Sequence, residues 1–223
     1  MSRRKRAIMH SGMYRILAIG LFASALLSAA EATVAKTEKM EFPAGGKLNI
    51  QGSNGEVTVE GWDRSDIEIT IVKTDYAEKD TGKAERNVGK VNVTSERKGE
   101  EILITTKRPW CTGVEVEYWI KAPRNAQVTV DHKGGEVHVT DITGPLHVTD
   151  KRGRITVKLT GDAKPAVDAR SKWGTATSDF GGKESRTWIL GQAFAGDSTS
   201  GSQPVYLRAG YGDIWVIKSY KEK

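Results

Sequence analysis

With 223 residues, 34 Lys/Arg, 28 Asp/Glu and a single cysteine, the chain is long enough for one domain with its own core and is not a small fold stapled by internal disulfides. The first 32 residues hold five of the basic side chains and one acidic one, so the remaining 191 carry 29 basic against 27 acidic groups. That near-neutral balance removes the overall basicity from which a nucleic-acid partner would be inferred, and none is expected.

The chain opens on a tripartite export leader. A basic start (Arg3, Arg4, Lys5, Arg6, Arg15) is followed by an apolar run from Ile16 to Ala30 and by Ala30-Glu31-Ala32, a small-x-small cleavage site. Residues 1–32 are therefore read as a signal peptide and 33–223 as one exported β-repeat domain, in the periplasm or at the cell surface. The 15-residue apolar run falls short of the roughly 20 residues that span a bilayer, so no stable membrane span is expected after cleavage. A leader kept as an anchor stays open. No cysteine sits at the junction, which argues against a lipoprotein.

Beyond the leader, apolar residues alternate with polar ones, the pattern of strands with one buried face. Strands are predicted at Leu48 to Ile50, Val57 to Val59, Ile67 to Ile71, Val91 to Val93, Ile102 to Ile104, Val114 to Ile120, Val205 to Leu207 and Ile214 to Val216. Residues 73–90 are polar, without a buried stripe, and read as an excursion or a short exposed helix. Cys111, beside Trp110, reads as a small buried hydrophobe, since nothing in the sequence nominates a partner that would activate its thiol.

Between 128 and 163 the chain repeats itself every nine residues: Val128-Thr129-Val130, Val137-His138-Val139, Leu146-His147-Val148 and Ile155-Thr156-Val157, each followed by a polar turn with glycine. The unit fits a right-handed parallel β-solenoid, with consecutive units on different walls, or an antiparallel meander or sandwich. The solenoid is preferred, because the turns exceed the two-residue loops of tight hairpins and the repeat keeps its phase. Residues 179–204, rich in Gly and Ser around Trp188-Ile189-Leu190, read as a long loop or a capping strand over an open end.

The stretches Gly52-Ser53-Asn54-Gly55-Glu56-Val57-Thr58-Val59, Trp173-Gly174-Thr175-Ala176-Thr177-Ser178-Asp179-Phe180 and Val205-Tyr206-Leu207-Arg208-Ala209-Gly210-Tyr211-Gly212-Asp213-Ile214 flank these repeats. In this order, over roughly Gly46 to Lys218, the chain resembles the bacterial DUF4097 family of adhesin-like β-strand repeat proteins. The resemblance implies a β-solenoid-like fold at the cell envelope or surface with no established catalytic activity, and it carries no catalytic residues over.

No motif for a nucleophile, a zinc protease or a phosphate loop is present: there is no Gly-x-Ser-x-Gly, no His-Glu-x-x-His and no glycine-rich phosphate-binding loop. The repeated His-Val-Thr-Asp at 138–141 and 147–150 has metal-ligand residue types, but on separate walls its two histidines would not meet. Gly134-Gly135 occurs once, without the repeated Gly-Gly-x-Gly-x-Asp turn of a calcium β-roll, so neither metal nor cofactor is expected. Asp131, Asp141 and Asp150 read as turn residues bonded to nearby backbone.

Alternation points Trp119, Tyr206 and Trp215 outward, where they would form a surface for a glycan or an envelope protein, or else pack beneath the 179–204 loop or the 73–90 excursion. The functional expectation is an exported, non-catalytic, adhesin-like interaction module. A carbohydrate-active enzyme on a β-helix scaffold, with carboxylates converging along one wall, and an envelope-stress accessory protein are the alternatives.

Overall fold

The computed structural model describes residues 31–220, apart from 44, 77–80, 111, 187–189 and 197–202. The leader up to Ala30, Cys111 and the Trp188-Ile189 patch lie outside the described residues. In chain order the elements are β1 (Glu31–Glu41), β2 (Lys47–Gln51), β3 (Val57–Trp62), β4 (Asp66–Tyr76), α1 (Thr81–Lys90), β5 (Asn92–Lys98), β6 (Glu101–Lys107), β7 (Glu115–Pro123), β8 (Gln127–His132), β9 (Val137–Thr140), β10 (Leu146–Arg152), β11 (Ile155–Thr160), β12 (Pro165–Gly174), β13 (Ala176–Ser178), β14 (Gly182–Arg186), β15 (Leu190–Gly196), β16 (Gln203–Tyr211) and β17 (Ile214–Ser219).

The strands form two mixed sheets. The first runs β1-β4-β7-β3-β9-β11-β17-β13 and the second β14-β15-β12-β16-β10-β8-β2-β6-β5. Alternate residues of both face inward: Val57, Val59, Val137, Val139, Ile155 and Val157 from the first sheet meet Leu48, Ile50, Val128, Val130, Leu146 and Val148 from the second in one apolar cluster. Each such side chain contributes roughly 1.5–3 kcal/mol through burial.

Every predicted strand coincides with an observed one or abuts it, and consecutive nine-residue units fall on opposite sheets, with β8 paired in parallel to β10 and β9 to β11. The two mixed sheets fit the sandwich alternative; β8/β9 and β10/β11 stack as successive coils, but the stack as a whole does not follow chain order. Each parallel strand of one sheet is followed by its partner in the other, but these pairs stack in the order β6/β7, β2/β3, β8/β9, β10/β11, β16/β17, β12/β13. The chain thus doubles back near both ends of the stack, and antiparallel strands β1, β4, β5, β14 and β15 finish the sheets. A local repeat fixes strand length and phase; it carries no instruction about which pair lies beside which.

A spine of glycines sets the start of the first-sheet strands. Gly55, Gly135, Gly153, Gly212 and Gly174 all have φ between +124° and +149°. They stack so closely that a Cβ on Gly135 would be driven into the carbonyl oxygen of Gly55, one on Gly153 into that of Gly135, and one on Gly212 into that of Gly153. The ladder continues through this turn: the N–H of Gly55 donates to the Gly134 carbonyl at 3.0 Å, that of Gly135 to Arg152 at 2.8 Å and that of Gly153 to Tyr211 at 2.8 Å. Only glycine combines this backbone conformation with this approach.

Two readings of local sequence need correction. β4 continues through Tyr76, and α1 does have a buried stripe, Ala84 and Val88, packed towards β1 and β4. Two small apolar side chains one turn apart suffice to dock a helix whose other positions are polar, which is why composition hid them. Likewise Asp131 and Asp150 lie in strands. Asp150 points inward and is buried, because it falls in phase with Leu146 and Val148; Asp141 does occupy a turn, at φ +58°, where Arg124 pairs with it at 3.1 Å.

Candidate functional site

Because the glycine spine fixes where each first-sheet strand begins, the residue three positions after each spine glycine reaches the same level of the sheet. The one between, two after the glycine, points into the core. Registers then align a row across the outer face of the first sheet: Thr37, Thr70, Trp119, Thr58, His138, Thr156, Trp215 and Thr177. From Trp119 to Trp215 the row alternates ring and threonine. Trp119 is 47% exposed and Trp215 36% exposed. The three rings are two strands apart, roughly 9.6 Å by ordinary strand spacing.

One position before the core residue, a second row runs beside the first: Glu117, Glu56, Glu136, Arg154 and Asp213. It holds the first row in place. Trp119 Nε1 donates to Glu117 at 3.2 Å, the Thr58 hydroxyl donates to Glu56 at 2.8 Å, and His138 Nε2 lies 3.1 Å from Glu136. The Arg154 guanidinium sits 4.4 Å from the ring centre of Trp215 and donates to Glu136 at 3.5 Å, so one face of that indole is backed by a cation. Burial on Asp213 is slight, and the N–H and hydroxyl of Thr175 hold its carboxyl below the usual carboxylate range.

Glu56, Glu115, Glu117 and Glu136 line an open depression of about 460 Å³ with Asn54, Lys133 and Arg152, at the end of the strands where the glycine spine lies. The depression adjoins the row of rings. Its charged lining, four glutamates against Lys133 and Arg152, is net acidic and rich in hydrogen-bond acceptors, and its floor is backbone at Gly55, Gly134 and Gly135.

The three aromatic residues singled out from sequence do not form one surface. Trp119 and Trp215 share the row on the first sheet; Tyr206 is on the outer face of the second, with His147 at 4.5 Å between ring centres and the Arg208 guanidinium at 3.4 Å. Arg208 in turn holds Asp168 at 2.7 Å, and that ion pair keeps the Asp168 carboxyl low against the opposing effect of burial. His138 and His147 lie on opposite sheets, in β9 and β10. Among the described residues no group of three or more His, Cys, Asp or Glu side chains is arranged to hold a metal ion.

Sequence reasoning found the two tryptophans by alternation but missed Thr58, His138 and Thr156 between them. The signal that finds them is the interval of three residues after Gly55, Gly135, Gly153 and Gly212. It is legible once those glycines are recognised as equivalent.

No family model matches the chain, so its likeness to the DUF4097 family stays a resemblance, and no curated protein matches it. Similar solved structures include a candidate cell adhesion protein from Clostridium sporogenes, at TM-score 0.47 and 14% identity over 83% of this chain and 100% of that one. Others are a candidate adhesin from Bacteroides fragilis, at 0.30 and 11% over 82% and 97%, and a candidate lipid binding protein from Parabacteroides distasonis, at 0.25 and 9% over 83% and 95%. Likeness this distant leaves the function to be argued from the chain's own residues.

Proposed function

We propose that the chain is an exported, non-catalytic interaction module of the cell envelope or cell surface, and that it engages a glycan or an envelope protein through the outer face of its first sheet. The carrying observation is the row Trp119, Thr58, His138, Thr156, Trp215. Two large apolar rings are held at the surface by partners on their own or a neighbouring strand, on a scaffold of stacked parallel strand pairs that works like a solenoid in presenting a repetitive face. The leader at residues 1–32 supports export, and no helix among the described residues is long and apolar enough to cross a membrane.

One observation favours the second reading, a carbohydrate-active enzyme: Glu56, Glu117 and Glu136 converge on the same depression. Against it, these carboxylates are engaged by Thr58, Trp119, His138 and Arg154, and the depression is open to water, whereas a general acid is typically kept protonated by an apolar enclosure.

Fractionation of cells expressing the tagged full chain, followed by capture of envelope components by the wild type and by Trp119→Ala/Trp215→Ala, tests the proposal. Recovery from the envelope or medium, with capture lost in the double variant, is the expected result. Recovery in the cytosol alone, or capture indifferent to both rings, overturns it. Release of new reducing ends from a captured glycan would favour the enzyme.

A further inference from the structure

The outer face of the first sheet constrains its ligand in three independent ways, and together they name a chemical class. The rings of Trp119, His138 and Trp215 recur every second strand, at roughly 9.6 Å. They therefore suit a ligand with flat apolar faces that repeat at the same interval. Thr58 and Thr156 stand between the rings; Thr156 is buried, so between His138 and Trp215 a ligand would lie on the larger side chains around it, Arg154 among them.

The second constraint is polarity. Beside the rings, Glu117, Glu56 and Glu136 present acceptors, and Glu115 adds another in the depression. A ligand there must bring hydrogen-bond donors at its edges. Arg154, Lys133 and Arg152 offset part of this charge and Lys121 and Lys158 flank the row on its other side, but the edge along the depression stays net acidic, which disfavours anionic polysaccharides, nucleic acids and phospholipid headgroups. The third constraint is shape. Trp119 and Trp215 are exposed, His138 is half-buried, and the face is open at the side, so it receives an extended chain along its length and not a compact molecule in a closed pocket.

Resting on the reading of this face as a binding surface, we infer that its ligand is an uncharged, linear β-linked polysaccharide lying across the strands. Alternate pyranose rings stack on Trp119, His138 and Trp215, and the hydroxyls between them donate to Glu117, Glu56 and Glu136. In an extended β-1,4-linked chain, two sugar units span about the distance between alternate strands, so a stretch of about five units covers all three rings. Trp119 and Trp215 anchor the two ends; Arg154 backs the indole of Trp215 and fixes its orientation.

Calorimetric titration of the purified full chain with β-1,4-linked glucose and N-acetylglucosamine oligomers of two to six units tests this directly. α-1,4-linked glucose hexamer and heparin serve as controls. Affinity should climb from the dimer to the pentamer and then level off, with the α-linked and anionic controls binding at least about tenfold more weakly. Trp119→Ala and Trp215→Ala should each weaken the hexamer by about tenfold or more, the scale of an aromatic anchor, with the melting temperature unchanged. Tyr206→Ala, on the other sheet, should bind as the wild type does.

Binding of heparin in preference to the neutral oligomers overturns the inference, as does affinity indifferent to length or to both tryptophans. If no oligomer binds while envelope capture still depends on Trp119 and Trp215, the glycan is excluded and the binding face stands, with a protein as its partner. If envelope capture also ignores both rings, the binding face itself falls.

Discussion

At Gly153 one methyl group is enough to disrupt the molecule. The residue holds φ +149°, and a Cβ there would be driven into the carbonyl oxygen of Gly135, whose N–H is hydrogen-bonded to Arg152 in the ladder, and towards the Asp150 carboxylate. Strain and overpacking then act together, so Gly153→Ala should cost at least about 3 kcal/mol in denaturant unfolding. Gly99 is the control: it has φ +63° but open space around its Cα, so Gly99→Ala should cost only about 1 kcal/mol. Two glycines with positive φ would thus differ several-fold in consequence, because only one lies in the spine.

Asp150 is the second sensitive residue. Its side chain is buried, with His132 of β8 and Ala209 of β16 opposite it on the neighbouring strands; Oδ1 accepts the Arg152 N–H at 3.3 Å, while Oδ2 has no hydrogen-bond partner among the described residues. Burial pushes its pKa from 3.8 up to about 6. A carboxyl raised on folding favours the protonated folded state, so its contribution is most favourable below the unfolded value and is lost as pH rises towards about 6. Across that window the shift corresponds to about 3 kcal/mol. His132, also buried, acts in the opposite sense: burial lowers its pKa, so stability falls as pH drops through the unfolded histidine value. His132 stands opposite Asp150 and is present in both proteins, so the difference between wild type and Asp150→Asn reads the aspartate together with its coupling to His132. The variant should melt higher at pH 7.5 and like the wild type near pH 4, as read by thermal denaturation at both values.

Among the elements, α1 shows how a polar segment is held on a sheet. Ala84 and Val88 are buried, and Lys73 from β4 donates to the Val91 carbonyl at 3.1 Å and, at 3.3 Å, to that of Val88, which also accepts the Val91 N–H, so one side chain clamps the helix C-terminus. Lys73→Met keeps the aliphatic stem and removes those bonds. It should lower stability by about 1–2 kcal/mol and speed amide exchange in α1 while leaving the central strands protected, as hydrogen exchange would report.

The same scale shows what was legible in the sequence. Strands with one face in the core announced themselves: the runs at 48, 57, 67, 102, 114, 205 and 214 all lie in or beside observed strands, because alternation records burial directly. β1 and β14 did not, since Glu31–Glu41 and Gly182–Arg186 lie at sheet edges, where polar residues are tolerated on both faces. The candidate site was half legible. Trp119 and Trp215 could be seen to point outward, but their sharing a row with His138 depends on parallel pairings between strands far apart in the chain. Tyr206 has the same local signature and lies on the other sheet, a distinction that alternation cannot carry.

On the scale of the whole molecule, the order of strand pairs determines which edges meet water, and the outermost strands are suited to that position. β13 is three residues long, β14 is polar and exposed, β5 ends in Glu96, Arg97 and Lys98, and β1 carries Lys36, Glu38 and Lys39, with Lys36 paired to Glu38 and Lys39 to Glu68. Short or charged edges discourage pairing between molecules. β4, one strand in, carries charge towards its ends (Asp66, Glu68, Lys73, Asp75) but none across its middle, Ile69 to Val72. It pairs with β1 along eleven residues, from Glu31 opposite Tyr76 to Glu41 opposite Asp66, and turns Ile67, Ile69 and Ile71 to the core. A chain beginning at Phe42 would expose that long edge with its backbone donors and acceptors unpaired. It should associate in a concentration-dependent manner, read by light scattering after size exclusion, and Thr70→Lys, which puts a charge on the outer face of the new edge, should suppress the association without restoring the lost strand. If the truncated chain stays as monodisperse as the full-length protein, protection by β1 is not what keeps the first sheet from pairing with copies of itself.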